Sequence, residues 1–155
     1  MPQTATMDPV TKTAPTDKIK ILLVDNDELV QIYFRDIFWI HGLDSKYDVS
    51  VIGDIEKAEA IIRDPETRPR VIFLDLIMPM RKGSRIEETA EAGVSLLKKI
   101  KEDEELKSIK VFIFSGYTNE TYRDLVLKMG AEDFVPKGTS LPQDLVSFIE
   151  QKVKA

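Results

Sequence analysis

The segment V-I-F-L-D-L-I-M-P, residues 71–79, constrains the fold of this chain more than any other. Four apolar residues run into Asp75, and an apolar pair, a methionine and a proline follow it. An uninterrupted apolar run with β-branched residues favours a strand buried in the middle of a parallel sheet. Because an unpaired buried carboxylate is costly, we expect Asp75 to lie where this strand leaves the sheet. At that place it is open to two interpretations, a turn residue that ends the strand or a functional group.

Four more segments have the pattern of strands, and the strands alternate with five helical segments. The other strands are predicted over residues 19–24, 47–52, 110–114 and 133–135. Helices are predicted over 28–41 and 55–63, after residue 92, from a cap at 118 or 119 to 129, and after a cap at 140. This alternation predicts an α/β fold with a doubly wound, five-stranded parallel sheet. The order 2-1-3-4-5 fits best, because it puts the half-polar strand 47–52 at an edge.

Composition limits the classes of function. Residues 1–17 are rich in Thr and Pro without apolar periodicity, so we expect a flexible tail before one domain at 18–155. The net charge of -5 argues against nucleic-acid binding as the main function. The chain has no cysteine, no apolar run long enough to span a membrane and no signal-peptide core. We therefore predict a cytoplasmic protein with neither a nucleic acid nor a membrane as its partner.

Polar residues follow four of the predicted strands: D-N-D at 25–27, Asp75, Ser115 and Lys137. The predicted strand order gathers them at one edge of the sheet. Mg2+ relieves the repulsion of clustered carboxylates, and it binds one or two of them together with water and phosphate oxygens. An ionised carboxylate can attack phosphorus without a separate base, and phosphoryl transfer needs positive charge nearby. Each residue also has a structural explanation, as a helix cap or a solvated charge, but the combination favours a phosphoryl-transfer site.

At these residues the sequence resembles the receiver domain of response regulators. The resemblance covers about residues 19–153, and L-L-V-D-N-D, V-I-F-L-D-L-I-M-P, F-I-F-S-G and G-A-E-D-F-V-P-K carry it. It implies a flavodoxin-like, receiver-like fold. It also implies that Asp75 accepts a phosphoryl group from the phosphohistidine of a histidine kinase or histidine phosphotransfer protein.

The resemblance further implies a role for each site residue. Asp75 is expected to be the phosphoacceptor, with Ser115 and Lys137 as its two partners. The expected Mg2+ ligands are Asp25, Asn26, Asp75 and the main-chain carbonyl of Ile77. The expected switch residues are Ser115 and Phe134.

The sequence departs from the family pattern at three places. Asn26 replaces the second of two adjacent acids, so the affinity for Mg2+ should fall. Gly138 replaces the proline that usually follows the lysine, so the loop there is expected to differ. Residues 81–92 add about ten residues, which we predict to form a long charged loop that covers the site or docks a partner. The alternative is a solvated insert or an early start of the next helix.

The predicted function is a stand-alone phosphoacceptor switch of two-component signal transduction, with output by contact with an unknown protein. The fold uses the chain almost to its end, so no output domain is expected. The resemblance implies that the face at about 118–152 carries the signal and that the first helix is the docking site for the kinase or phosphotransfer protein. We expect no enzymatic activity other than slow autodephosphorylation. Our hypothesis is that the apolar bulk of Ile77 and Tyr117 makes this reaction slow.

Two other classes of protein are compatible with parts of the pattern. A pseudo-receiver would keep the fold as a binding module that is not phosphorylated, and Asn26 and Gly138 favour it. A haloacid-dehalogenase-like phosphatase would use D-x-D at 25–27 with Ser115 and Lys137. The phosphatase reading lacks a second acidic metal pair after the lysine and leaves L-D-L-I-M-P without a role.

Overall fold

The computed structural model describes residues 18–116, 120–137 and 147–153. The strands are β1 Ile19–Val24, β2 Tyr47–Ile52, β3 Val71–Leu74, β4 Met78–Lys82, β5 Arg85–Thr89, β6 Lys110–Ser115 and β7 Asp133–Pro136. The α-helices are α1 Glu28–Ile40, α2 Ile55–Arg63, α3 Ala90–Glu102 and α4 Glu120–Lys128. Five strands form a parallel sheet in the order β2-β1-β3-β6-β7, which confirms the predicted fold class and strand order.

The sheet is buried on both faces, which is why its central strands are apolar throughout. Successive side chains of a strand point to opposite faces. Ile21 and Leu23 join one apolar cluster, whereas Leu22 and Val24 join the other. Phe73 lies in the first cluster, with its ring centroid 5.1 Å from that of Phe34 and 5.3 Å from that of Phe112. All four residues of β3 are buried, as predicted for a central strand.

Asp27 and Asp54 are the N-terminal caps of α1 and α2. The Asp27 carboxylate accepts hydrogen bonds from the main-chain N–H groups of Leu29 and Val30, and that of Asp54 accepts one from Lys57. The chain turns after α1 at Gly42, whose φ of 68° suits glycine.

Helix α1 uses its aromatic residues in two ways. Phe34 and Phe38 are buried in the core. Tyr33 and Trp39 are 38% and 72% exposed and lie on the surface of the protein.

The prediction of a long charged loop at 81–92 is wrong. β4 and β5 form an antiparallel hairpin whose two-residue turn is Gly83 and Ser84, with φ of 66° at Gly83. Helix α3 begins at Ala90 with Thr89 as its cap, so the alternative of an early helix start is correct in part. Met78 is buried and Met80 half-buried on one face of the hairpin, and this apolar anchoring explains why the charged segment is ordered.

Several predictions fall on residues that the structure does not describe. They are the tail at 1–17, the cap at 118 or 119, Tyr117, Gly138 and the cap at 140. Of the last predicted helix, the described part includes a short π-helical segment, Ile149–Val153, with Ile149 fully buried. None of the helices within the described ranges combines the length and the apolar character that a membrane span requires.

Candidate functional site

Four strand ends bring the predicted polar side chains to one edge of the sheet. Asp25 directly follows β1, Asp75 directly follows β3, Ser115 is the last residue of β6, and Lys137 directly follows β7. Main-chain hydrogen bonds extend the ladder at each of these ends. The Asp75 N–H donates to the Val24 carbonyl at 3.0 Å, and the Lys137 N–H donates to the Ser115 carbonyl at 3.0 Å. The regular sheet therefore positions the site.

From residues that the structure describes, the carboxylate of Asp75 accepts three hydrogen bonds. The Ser115 hydroxyl donates to Oδ1 at 3.2 Å, and the Ile77 main-chain N–H donates to the same oxygen at 3.2 Å. The Lys137 ammonium donates to Oδ2 at 3.1 Å. The Asp75 side chain is 10% exposed, so it is nearly buried and still reached by solvent. These donors hold the carboxylate in one orientation.

Asp25 is a fully buried carboxylate beside Asp75. Its Oδ1 accepts a hydrogen bond from the Asp27 main-chain N–H at 2.9 Å, and its Oδ2 forms an ion pair with Lys137. Burial raises the pKa of Asp25 above its ordinary value of 3.8, although the hydrogen bonds from Lys137 and Asp27 oppose this shift. Burial thus disfavours the charged form of Asp25, and the contacts with Lys137 and Asp27 offset this cost only in part.

Lys137 is shared by the two carboxylates. Burial alone would lower its pKa, but the hydrogen bond to Asp25 and the negative charge of Asp75 outweigh burial and raise the pKa above 10.5. Its Nζ also lies 5.8 Å from the centroid of the Phe114 ring. One ammonium between two carboxylates leaves the site with a net negative charge.

This arrangement fits a divalent cation. In the part of the chain that the structure describes, no three acidic, His or Cys side chains form a metal cluster, so the acidic donor set is Asp25 and Asp75. Mg2+ commonly binds one or two carboxylates and keeps several waters. Asn26 is exposed on the loop after Asp25, and Ile77 is half-buried beside Asp75. One ammonium is shared by two neighbouring carboxylates, so a divalent cation would neutralise the negative charge that remains.

The structure places Phe134, the predicted aromatic switch residue, inside the core rather than at the surface. It is 8% exposed, lies in β7 opposite Ile113 of β6, and belongs to the apolar cluster on the α3 side of the sheet.

Two residues of the site region, Gln31 and Gly93, were not predicted from the sequence. The Gln31 side-chain amide donates to the Asp25 carbonyl at 2.6 Å and so ties α1 to the end of β1. Gly93 in α3 donates its N–H to the Leu76 carbonyl at 3.1 Å. No local pattern marks Gln31, whereas a glycine inside a helical pattern is a signal of close packing.

Comparison with known proteins identifies the class to which this fold and site belong. A family model of the response regulator receiver domain matches residues 21–150, so the chain belongs to that family. Two-component response regulator ORR3 of Oryza sativa is 32% identical over 127 residues, which cover 82% of this chain and 86% of ORR3. Receiver domains of response regulators function in two-component signalling. This class leaves the phosphatase interpretation without support.

Solved structures show the same fold. The phosphorylated cyanobacterial phytochrome response regulator RcpA has a TM-score of 0.69 at 21% identity, covering 88% of this chain and 96% of that one. The Mn2+-bound response regulator Rcp1 has a TM-score of 0.67 at 21% identity, covering 87% of this chain and 94% of that one.

Other relatives are much longer than this chain. The chain spans 22% of the response regulator-like APRR3 of Arabidopsis thaliana and 36% of a protein-glutamate methylesterase of Carboxydothermus hydrogenoformans.

Proposed function

We propose that this chain is a phosphoacceptor switch of two-component signalling, with Asp75 as the acceptor. A carboxylate oxygen of Asp75 attacks the phosphorus of a phosphohistidine on a histidine kinase or phosphotransfer protein. The new O–P bond forms as the P–N bond breaks, and the leaving imidazole takes up a proton. The observation that carries the proposal is the convergence of Ser115, Lys137 and the Ile77 N–H on this one carboxylate.

Each neighbour of Asp75 has a chemical role in this proposal. The Lys137 ammonium, 3.1 Å from Oδ2, stabilises the negative charge of the transferred group. The Ser115 hydroxyl, which donates to Oδ1, would rotate and donate to a phosphoryl oxygen instead. This exchange of partner, together with a movement of Phe134, is the proposed switch. Output then occurs through contact with another protein, in the cytoplasm, without nucleic acid or membrane as a partner.

Mg2+ is the proposed cofactor. Asp25, Asp75, the Ile77 carbonyl and the Asn26 side chain would hold it, and when bound it would neutralise charge on the phosphoryl oxygens. The Mn2+ in the structure of Rcp1 supports a divalent ion in this fold. Because Asn26 brings no charge, we expect the affinity to be lower than that of a site with a third acid.

The decisive experiment is phosphorylation by acetyl phosphate with Mg2+, followed by intact-mass and peptide mass spectrometry. We expect a gain of one phosphoryl group on Asp75 in the wild type and none in Asp75→Asn. Asp48→Asn is a matched control, because Asp48 is an exposed carboxylate on the edge strand β2. A phosphoryl group on another residue would refute the assignment of Asp75.

A pseudo-receiver is the second candidate, and the exposed, uncharged Asn26 favours it. This candidate predicts no phosphorylation and no effect of Mg2+ on stability in the same samples. Phosphorylation of Asp75 that depends on Mg2+ excludes it.

A further inference from the structure

The β4–β5 hairpin carries an open strand edge that is part of neither the main sheet nor the candidate site. β5 pairs with β4 on one side, and no other described strand pairs with it. Ile86, near the start of β5, is 63% exposed. Its neighbours Arg85 and Glu87 form an ion pair with each other at 2.8 Å, and their side chains are 77% and 39% exposed. An open edge presents main-chain donors and acceptors to another strand.

Pro79 shows which main-chain groups face this edge. It lies opposite Glu88, and because proline has no N–H, the two form a non-hydrogen-bonded pair. Pairs alternate along an antiparallel ladder, so the pair Arg81 and Ile86 is also non-hydrogen-bonded. The main-chain N–H and C=O groups of Ile86 and Glu88 therefore point away from β4. On the opposite edge of the hairpin Pro79 removes a donor, so β5 offers the better edge for strand addition.

The charges on β5 favour one way of pairing this strand with itself. When two copies pair antiparallel about Ile86, Arg85 of each copy lies opposite Glu87 of the other, and the two Ile86 side chains are adjacent. The main-chain N–H and C=O groups of Ile86, which point away from β4, then form the central hydrogen-bonded pair between the two copies. Pairing about Glu87 would place two carboxylates opposite each other, which is unfavourable.

We propose that β5 is a self-complementary edge through which two copies of this chain associate, forming a four-stranded antiparallel sheet across a two-fold axis. We propose a second copy as the partner, because two R-I-E segments at 85–87 that run antiparallel place an arginine opposite a glutamate at both ends. A five-residue strand buries little surface, so the association is weak and depends on concentration. This inference does not rest on phosphorylation of Asp75.

Charge reversal tests the pairing directly. Sedimentation equilibrium of the full chain over increasing concentration should reveal a monomer–dimer equilibrium. Arg85→Glu and Glu87→Arg should each reduce the association constant roughly tenfold or more, since each replaces two attractive cross-strand pairs by repulsive ones. The double variant R85E/E87R should recover association, because the opposite charges face each other again. An equimolar mixture of the two single variants should form heterodimers for the same reason.

Arg81→Glu is the matched control, because it reverses an exposed charge on the neighbouring strand β4. It should associate like the wild type. Circular dichroism and the midpoint of urea unfolding establish that each variant is folded. The proposal is overturned if the wild type stays monomeric throughout, if the single variants associate as well as the wild type, or if the double variant and the mixture remain as weak as the single variants.

Discussion

Gly93 of α3 lies directly against the main chain at Leu76, the residue after Asp75. Its N–H donates to the Leu76 carbonyl at 3.1 Å, and a Cβ at position 93 would lie 2.5 Å from the Leu76 Cα. The same Cβ would lie 2.8 Å from the Asp75 carbonyl oxygen. Only glycine allows this approach, by which the start of α3 packs against the chain that carries Asp75.

We therefore expect Gly93→Ala to lower the free energy of unfolding by about 2 kcal/mol, because main-chain atoms cannot move aside cheaply. Urea unfolding followed by circular dichroism measures this change. Gly116→Ala is the control, since a Cβ at 116 meets no atom within 4 Å, and it should change stability by less than about 0.5 kcal/mol. Similar values for the two variants would contradict the packing argument.

Lys137→Met should destabilise the protein by about 2–3 kcal/mol, because it leaves the buried Asp25 carboxylate without its cation. Combining it with Asp25→Asn should recover part of this loss, since the uncompensated charge is then gone. A double-mutant cycle in metal-free buffer measures the coupling between the two residues. Additive losses would mean that the ion pair contributes no coupling.

Glu59 provides a pH dependence that is independent of the candidate site. Burial alone would raise its pKa, but hydrogen bonds from Arg63 and Lys99 outweigh burial and lower the pKa below 4.5. A carboxyl group whose pKa is lower in the folded state stabilises the protein above its unfolded pKa. That contribution is lost as the pH falls through the pKa of the folded state.

Glu59→Gln should thus cost about 0.5 kcal/mol near neutral pH, a small value because the pairs with Arg63 and Lys99 are partly exposed. The difference from the wild type should vanish as the pH falls below 4.5 and through the folded pKa. Urea unfolding at several pH values measures it. The exposed Glu56 on the same helix supplies the control variant Glu56→Gln, and a pH-independent cost of Glu59→Gln would show that charge is not the cause.

Ile77→Asn should accelerate the loss of phosphate from phosphorylated Asp75 about tenfold, a change of about 1.4 kcal/mol in the barrier. Ile77 is half-buried beside Asp75, and an amide there can orient the attacking water, which an apolar side chain cannot do. The decay of the phosphorylated mass with time measures the rate. Ile77→Val keeps the apolar character and should decay like the wild type, and equal rates for Asn and the wild type would refute the explanation.

Asn26→Asp should increase the affinity for Mg2+ about tenfold. The interaction of a divalent ion with one more charge at roughly 4 Å in water is about 2 kcal/mol before screening by salt. The rise of the unfolding midpoint with Mg2+ concentration measures the affinity. Glu28→Gln, an exposed substitution in the first turn of α1, controls for a general effect of charge near this end of the sheet. An unchanged affinity in Asn26→Asp would place residue 26 outside the metal site.

Much of this structure follows from local patterns in the sequence. The apolar run before Asp75 predicts a central strand, because only a strand that lies between other strands and is covered by helices on both faces of the sheet buries all its side chains. Asp27 and Asp54 predict helix starts because their carboxylates satisfy main-chain N–H groups that have no partner within the helix. The hairpin was not predicted because most of its residues are charged. They obscure both the alternation of apolar and polar residues at Met78 and Met80 and the two-residue turn at Gly83 and Ser84.

The sequence by itself determined the α/β class, the strand order and which polar residues stand at the strand ends, since these depend on periodicity and on the rules of strand connection. Only the tertiary structure decided that Lys137 is shared by Asp25 and Asp75, that Gln31 holds the Asp25 carbonyl and that Gly93 packs on Leu76. These contacts join residues on separate elements, and their distances are set by how helices and strands pack. Packing depends on the whole set of buried side chains, which no local pattern records.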